Sequence, residues 1–321
     1  MRIHILNDRD PAAALRLSPQ ELAESAAASG LDAAGLVISE GDGSSYPDDA
    51  DIVFACVKPD VSALKKKLPS LRWVQVISAG VEAIIPTLPG GVALTNASGV
   101  HGEKGGEFVL AAALMLNFRI PGFVSDKAAG KWQPLFETPA RGKRVTLLGV
   151  GGIGSEATRR LLANGYHVTG VTRTGRADVD LDNCIATDAL DSVLADTDVL
   201  VSTLPATPAT RGLIDKRRLE ILPERAGIVV VGRAAVIDYA VMADMLESGR
   251  LAGAVLDVFD IEPLPAGDRL WSCPNLIMTP HCSVDDHATY MAGCLSIFND
   301  NLKRLENGEP LRNEVDPKLG Y

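Results

Sequence analysis

The stretch Arg144 to Arg176, RVTLLGVGGIGSEATRRLLANGYHVTGVTRTGR, constrains the fold of this chain more than any other. Val145 to Leu148 reads as a buried parallel strand, and it runs straight into Gly149-Val150-Gly151-Gly152-Ile153-Gly154, a G-x-G-x-x-G. Gly149 permits a tight turn, Gly151 lets a pyrophosphate approach the backbone, and Gly154 allows the next helix to pack closely. That helix is expected to stop at Asn164-Gly165, a left-handed cap signal, with Tyr166 to Val171 as the second strand. Strand, glycine turn, helix and strand together predict a dinucleotide site at Gly149, Gly151, Gly152, Ile153 and Gly154. The free N–H groups and positive dipole end of the helix would hold the diphosphate there.

The residues just past the second strand bear on the choice of dinucleotide. NAD-specific sites place an acid about 20 residues past the glycine turn, where it accepts from the ribose 2′-hydroxyl and repels a 2′-phosphate. Here the place reads Thr172-Arg173-Thr174-Gly175-Arg176, and Arg173 lies nineteen residues after Gly154. Arg173, Thr174 and Arg176 offer cations and a hydroxyl, so NADPH is the expected cofactor, with NADH possible. The plainer reading is a pair of solvated loop arginines. Asp178 lies too far along the loop to reach the ribose.

The rest of the chain repeats the same grammar. Arg2 to Leu6 reads as a strand, Ser18-Pro19-Gln20-Glu21 as a capping box opening a helix that ends at Gly30, and Gly41 to Asp49 as a polar loop. Strands are expected at 36–38, 51–57, 71–78 and 93–95, with a short helix over 62–67. Beyond the glycine motif, strands are expected at 199–202, 227–231 and 253–257, with helices over 238–248 and 285–306. Gly102 to Phe118 reads as a strongly apolar helix, and 118–142, broken by Pro121, Pro134 and Pro139, as an arm without regular structure. So much apolar surface predicts a homodimer; an ordinary core helix is the alternative.

At 321 residues and 46% hydrophobic, the chain suffices for about two domains. Its longest apolar run, nine residues from Phe108 to Leu116, is too short for a bilayer, and no signal-like segment opens the chain, so a cytoplasmic protein without a membrane partner is expected. Five scattered cysteines suit reduced thiols rather than a metal site, and a net charge of −10 argues against nucleic acid.

Three residues just past strand ends could carry chemistry: Arg233, Glu262 and His281. Each alone has a plain structural reading, and so does Ser78-Ala79-Gly80-Val81, which is either an anion-holding turn or an ordinary one.

Taken together, the motifs resemble the D-isomer-specific 2-hydroxyacid dehydrogenase family. The likeness rests on Leu148 to Gly154, Ser202-Thr203-Leu204-Pro205-Ala206-Thr207-Pro208 with Arg211-Gly212-Leu213-Ile214, Gly232-Arg233, Leu256-Asp257-Val258-Phe259 with Glu262-Pro263-Leu264-Pro265, and Thr279-Pro280-His281. Ser78 to Val81 and Thr95-Asn96 with Gly99-Val100-His101 are also similar. The resemblance implies two Rossmann/flavodoxin-like parallel-sheet α/β domains with an active-site cleft between them. Residues 1–100 plus 285–321 would form the substrate domain and 101–284 the dinucleotide domain. It implies reduction of a small 2-keto acid, with His281 as general acid/base, Glu262 orienting it and Arg233 binding the substrate carboxylate. Ala79, Gly80 and Val81 would hold the other carboxylate oxygen. Leu204, Pro205, Val231, Gly232 and Asp257 would line the cofactor, with Asp257 facing the nicotinamide carboxamide.

Relatives of this fold also include dinucleotide-sensing corepressors and phosphoglycerate-type dehydrogenases, which remain the alternatives. The chain departs from the family at Val230, where Asn is common, and at Ala234, where Gly is common. A positive φ at 234 would strain alanine and re-aim Arg233.

Overall fold

A computed structural model describes residues 1–10, 15–47 and 49–321. Of the expected polar loop 41–49, Asp48 lies outside the described residues. The chain divides into two compact units, Met1–Val100 with Asp286–Tyr321, and His101–Asp285. Asp285 thus falls with the second unit, not the first as expected.

The first unit is a five-stranded parallel sheet built from β1 (Arg2–Leu6), β2 (Val37–Gly41), β3 (Ile52–Ala55), β4 (Trp73–Val76) and β5 (Ala93–Thr95), in the order β2-β1-β3-β4-β5. That is the flavodoxin-like order. Both faces are covered, so its strands read as continuous apolar runs: in β3, Ile52 and Phe54 enter one core while Val53 and Ala55 enter the other. Helix α1 (Pro19–Ala28) begins with the expected capping box, Ser18 accepting from the Glu21 N–H and Glu21 reaching back to the Ser18 N–H. Helix α2 spans Val61–Lys67.

The second unit begins with α3 (Gly102–Asn117) and α4 (Ile120–Ala128). Helix α4 occupies part of the arm expected to be irregular. Pro121 sits in its first turn, where proline's missing N–H costs nothing. The sheet comprises β6 (Arg144–Leu148), β7 (His167–Thr172), β8 (Asn183–Ala186), β9 (Val199–Ser202), β10 (Gly227–Val230), β11 (Gly253–Leu256) and β12 (Leu276–Met278). Its order is β12-β11-β10-β9-β6-β7-β8, all parallel, a doubly wound dinucleotide-binding topology whose order reverses between β6 and β9. Helices α5 (Gly152–Ala163), α6 (Asp191–Leu194), α7 (Lys216–Ile221) and α8 (Tyr239–Glu247) connect the strands. Helix α5 lies unusually close to α3, because a Cβ on Gly106 would come within 2.8 Å of the Glu156 backbone. Helix α9 (Tyr290–Asn307) returns to the first unit, starting later than the expected residue 285. There Phe298 stacks on Trp73 at 4.9 Å and meets Phe54 edge-on at 5.1 Å. No single described helix is long and apolar enough to cross a membrane.

Candidate active site

In open parallel sheets ligands bind beyond the carboxyl ends of the strands, at the point where the strand order reverses. Here that point is the turn after β6. Gly149 has φ +88°, a backbone state costly for other residues. A Cβ on Gly154 would lie 2.2 Å from the Gly149 carbonyl oxygen, so the contact this glycine relieves is with the turn itself. Thr203, just past β9, donates from its hydroxyl to that same oxygen at 2.9 Å and fixes the turn. Its role is not legible in the sequence.

The cradle fits a diphosphate. Gly151 caps α5 without a side-chain hydrogen bond, and nothing lies within 4 Å of where its Cβ would stand. Ser155 is the first residue of α5 whose N–H reaches a carbonyl, that of Gly151 at 2.8 Å, so Gly152, Ile153 and Gly154 present their N–H groups at the helix end. The Leu204 side chain closes one side of the turn, since a Cβ on Gly149 would come within 2.9 Å of it. The Pro205 carbonyl is held by the Thr210 hydroxyl at 2.6 Å. Val231 and Gly232 both donate to the Ser202 carbonyl, at 3.0 and 3.1 Å. Any side chain at 232 would collide with Leu204, whose oxygen would be 2.4 Å from a Cβ there.

After β7, the Thr172 hydroxyl donates to the Arg176 carbonyl at 3.0 Å and accepts the Arg176 N–H at 3.1 Å, folding 172–176 into a small loop. Arg173, Thr174 and Arg176 are exposed on it, and neither arginine makes an ion pair with a described residue.

Asp257 follows β11 and is wholly buried. Its Oδ1 accepts from the Thr279 hydroxyl at 2.6 Å and from the Cys282 and Ser283 N–H groups at 3.1 Å each. Its Oδ2 has no partner among the described residues. A buried carboxylate oxygen without a donor is costly, and an amide NH2 such as that of a nicotinamide carboxamide would satisfy it. The residues of this unit therefore fit a nicotinamide dinucleotide.

Arg233, Glu262 and His281 come together around these strand ends. His281 Nδ1 meets Glu262 Oε2 at 2.6 Å, and Glu262 Oε1 accepts the Phe259 N–H at 2.8 Å. Partial burial would raise the Glu262 carboxyl's pKa. The His281 hydrogen bond, the Phe259 N–H and the charges of His281 and Arg233 outweigh it, and hold the group below the usual carboxylate range. His281 sits in the left-handed region at φ 49°, its N–H bonded to the Thr279 carbonyl across Pro280. With Nδ1 engaged, Nε2 is the ring nitrogen left for a reacting group. Arg233 has extended backbone, φ −137° and ψ 139°, and Nη1 donates to its neighbour Gly232's carbonyl at 2.9 Å. The strain expected at Ala234 does not arise: Ala234 opens a short 3₁₀ turn, Ala234–Val236, and is not among the residues with positive φ. Val230 is a core residue of β10.

In the first unit, Asn96 Nδ2 donates to the Ala79 carbonyl at 3.0 Å and the Ser78 hydroxyl to the Gly80 carbonyl at 2.9 Å. The N–H groups of Ala79, Gly80 and Val81 have no acceptor among the described residues.

Comparison with known proteins agrees with this geometry. Residues 110–283 match the family "D-isomer specific 2-hydroxyacid dehydrogenase, NAD binding domain". The chain is 30% identical over 288 residues to glyoxylate/hydroxypyruvate reductase A of Salmonella paratyphi C, covering 87% of this chain and 89% of that protein. A D-isomer specific 2-hydroxyacid dehydrogenase from Xanthobacter autotrophicus, solved with NADPH and MES, superposes with a TM-score of 0.84 at 30% identity, covering 100% of this chain and 99% of that one. The NADPH-dependent glyoxylate/hydroxypyruvate reductase of Sinorhizobium meliloti, solved with NADP and sulfate, gives 0.79 at 26% identity over 100% and 99% of the two chains.

Proposed function

The chain belongs to the D-isomer specific 2-hydroxyacid dehydrogenase family, NAD(P)-dependent oxidoreductases, and from that premise we propose that it reduces a small 2-keto acid to the D-2-hydroxy acid with NADPH preferred. The observation that carries this reading is the 2.6 Å contact between His281 and Glu262 past the carboxyl ends of the strands whose sheet also carries the cofactor-fitting turn. The nicotinamide, when bound, supplies the hydride that reaches C2 of the keto acid. His281 Nε2 gives a proton to the C2 oxygen, and Glu262 holds the ring by Nδ1 so that Nε2 faces that oxygen. Arg233 pairs with the substrate carboxylate, a contact that its planar fork makes bidentate, and draws charge from the carbonyl as it is reduced. In the first unit, the N–H groups of Ala79, Gly80 and Val81 offer an anion-holding element of their own. Arg173, Thr174 and Arg176 take the 2′-phosphate.

The relatives' names favour glyoxylate and hydroxypyruvate over larger keto acids. A panel of 2-keto acids assayed with NADPH and NADH, following loss of reduced-cofactor absorbance, tests the assignment. Two- and three-carbon acids should turn over fastest, and no turnover with any 2-keto acid would overturn it. We propose a cytoplasmic setting for this activity.

We also assign the active form as a homodimer. Trp132 and Phe136 are 95% and 93% exposed on the arm, with Phe118 and Val124 half-exposed nearby in sequence. Apolar side chains of that size call for a covering partner. Light scattering should give twice the mass of one chain, and the mass of one chain would contradict it.

A further inference from the structure

Tyr239 is the first residue of α8, directly after the Asp238 cap, and its hydroxyl donates to the Val258 carbonyl at 3.0 Å. That carbonyl shares a peptide plane with the Phe259 N–H, which donates to Glu262 Oε1 at 2.8 Å. Glu262 Oε2 then meets His281 Nδ1 at 2.6 Å. One continuous chain of hydrogen bonds therefore runs from a phenol on a helix to the imidazole proposed to react. A donor on a carbonyl oxygen draws electron density from its peptide nitrogen, so the N–H on the far side becomes a stronger donor and the bonds reinforce one another.

Two further observations give the phenol this task. Burial, aided by the charges of Asp260, Asp257 and Glu262, pushes the Tyr239 hydroxyl far above its ordinary value, so it keeps its proton and remains a donor. Beside it lies a groove lined in part by Tyr239, Phe259, Ile261 and Leu264, so the Glu262 loop is open on that side. Ile261 is 65% exposed. Phe259 and Leu264, on either side of Glu262, pack against the core of the unit, and the hydrogen bonds fix the carboxylate between them.

We propose that Tyr239 is a positioning residue for the reaction, acting through the peptide between Val258 and Phe259 to aim Glu262 at His281. The proposal rests on the roles of Glu262 and His281 in the proposed reduction. Tyr239→Phe keeps the ring and removes only the hydroxyl. Its kcat with the best keto acid should fall about 3- to 10-fold, while KM stays within about twofold. NADPH affinity, read by fluorescence titration without turnover, should also hold, which doubles as a check that the unit is folded. The same substitution made in a Glu262→Gln protein should cost less than about twofold more, because the two residues act as one element. An equal loss in both backgrounds, an unchanged kcat, or NADPH affinity falling in step with kcat would overturn it. Glu262→Gln alone tests the role of the glutamate, so failure there is distinguishable from failure of the cycle.

Discussion

The loop after β7 and the loops after β11 and β12 carry the two halves of the proposed chemistry, and they are built in opposite ways. Residues 172–176 are tied by one threonine hydroxyl, and their two arginines stand exposed without an ion pair among the described residues. Residues 257–283 are held by a buried carboxylate that collects three donors on one oxygen, and by a glutamate that joins a backbone N–H to an imidazole. A site that must hold a proton donor at a reacting atom needs its side chains fixed, because a small displacement costs rate steeply. A site that recognises a phosphate by charge tolerates mobile cations. Cofactor choice should therefore be separable from catalysis by mutation.

The largest effect is expected at the rigid site. His281→Ala should lower kcat by roughly 10² to 10⁴, the scale of a lost general acid, with NADPH affinity by fluorescence titration nearly unchanged. Retention of more than a third of wild-type kcat would remove the histidine from its role.

At the exposed loop the effect is smaller and of another kind. A partly exposed Arg–phosphate contact is worth about ten- to a hundredfold in affinity. Arg173→Ala should lower the NADPH-to-NADH ratio of kcat/KM by that factor and leave the NADH reaction intact. A wild-type preference for NADH would mean that these arginines do not read the phosphate.

The smallest effect concerns Glu262 and acid. Its carboxyl is held below the usual carboxylate range. The ionised form thus contributes stability that is present above that range and lost as pH falls through the lowered value. Glu262→Gln should accordingly lose less melting temperature than wild type between pH 7 and pH 3, by about 1 to 2 °C for so exposed a pair. Identical acid curves would show that the pairing adds nothing to stability.

The same contrast governs what could be read from the sequence. The glycine turn and the Ser18–Glu21 capping box are legible because their signals are local and each residue has a backbone task. Helix α4 is hidden because proline reads as a breaker anywhere but in a helix's first turn, where Pro121 stands. Strand β8 is a half-exposed edge strand pairing only with β7, so it lacks the apolar run of its neighbours. At the site, Arg233, Glu262 and His281 are visible as residues past strand ends. The positive φ of His281 and the lock between Asp257 and Thr279 are not, since each depends on a neighbour 22 or more residues away or on a backbone state histidine seldom adopts. The strain expected at Ala234 misjudged the loop, which closes as a 3₁₀ turn that alanine enters freely.

The separation of chemistry from cofactor choice is tested most directly by crossing the readouts: the NADPH-to-NADH ratio of kcat/KM in His281→Ala, and kcat with saturating NADH in Arg173→Ala. The ratio should stay within about twofold of wild type in the first, and kcat within about twofold in the second, as expected for sites that do not share partners. A ratio that collapses in His281→Ala, or a kcat that collapses in Arg173→Ala, would show that the two regions work as one and would contradict the account.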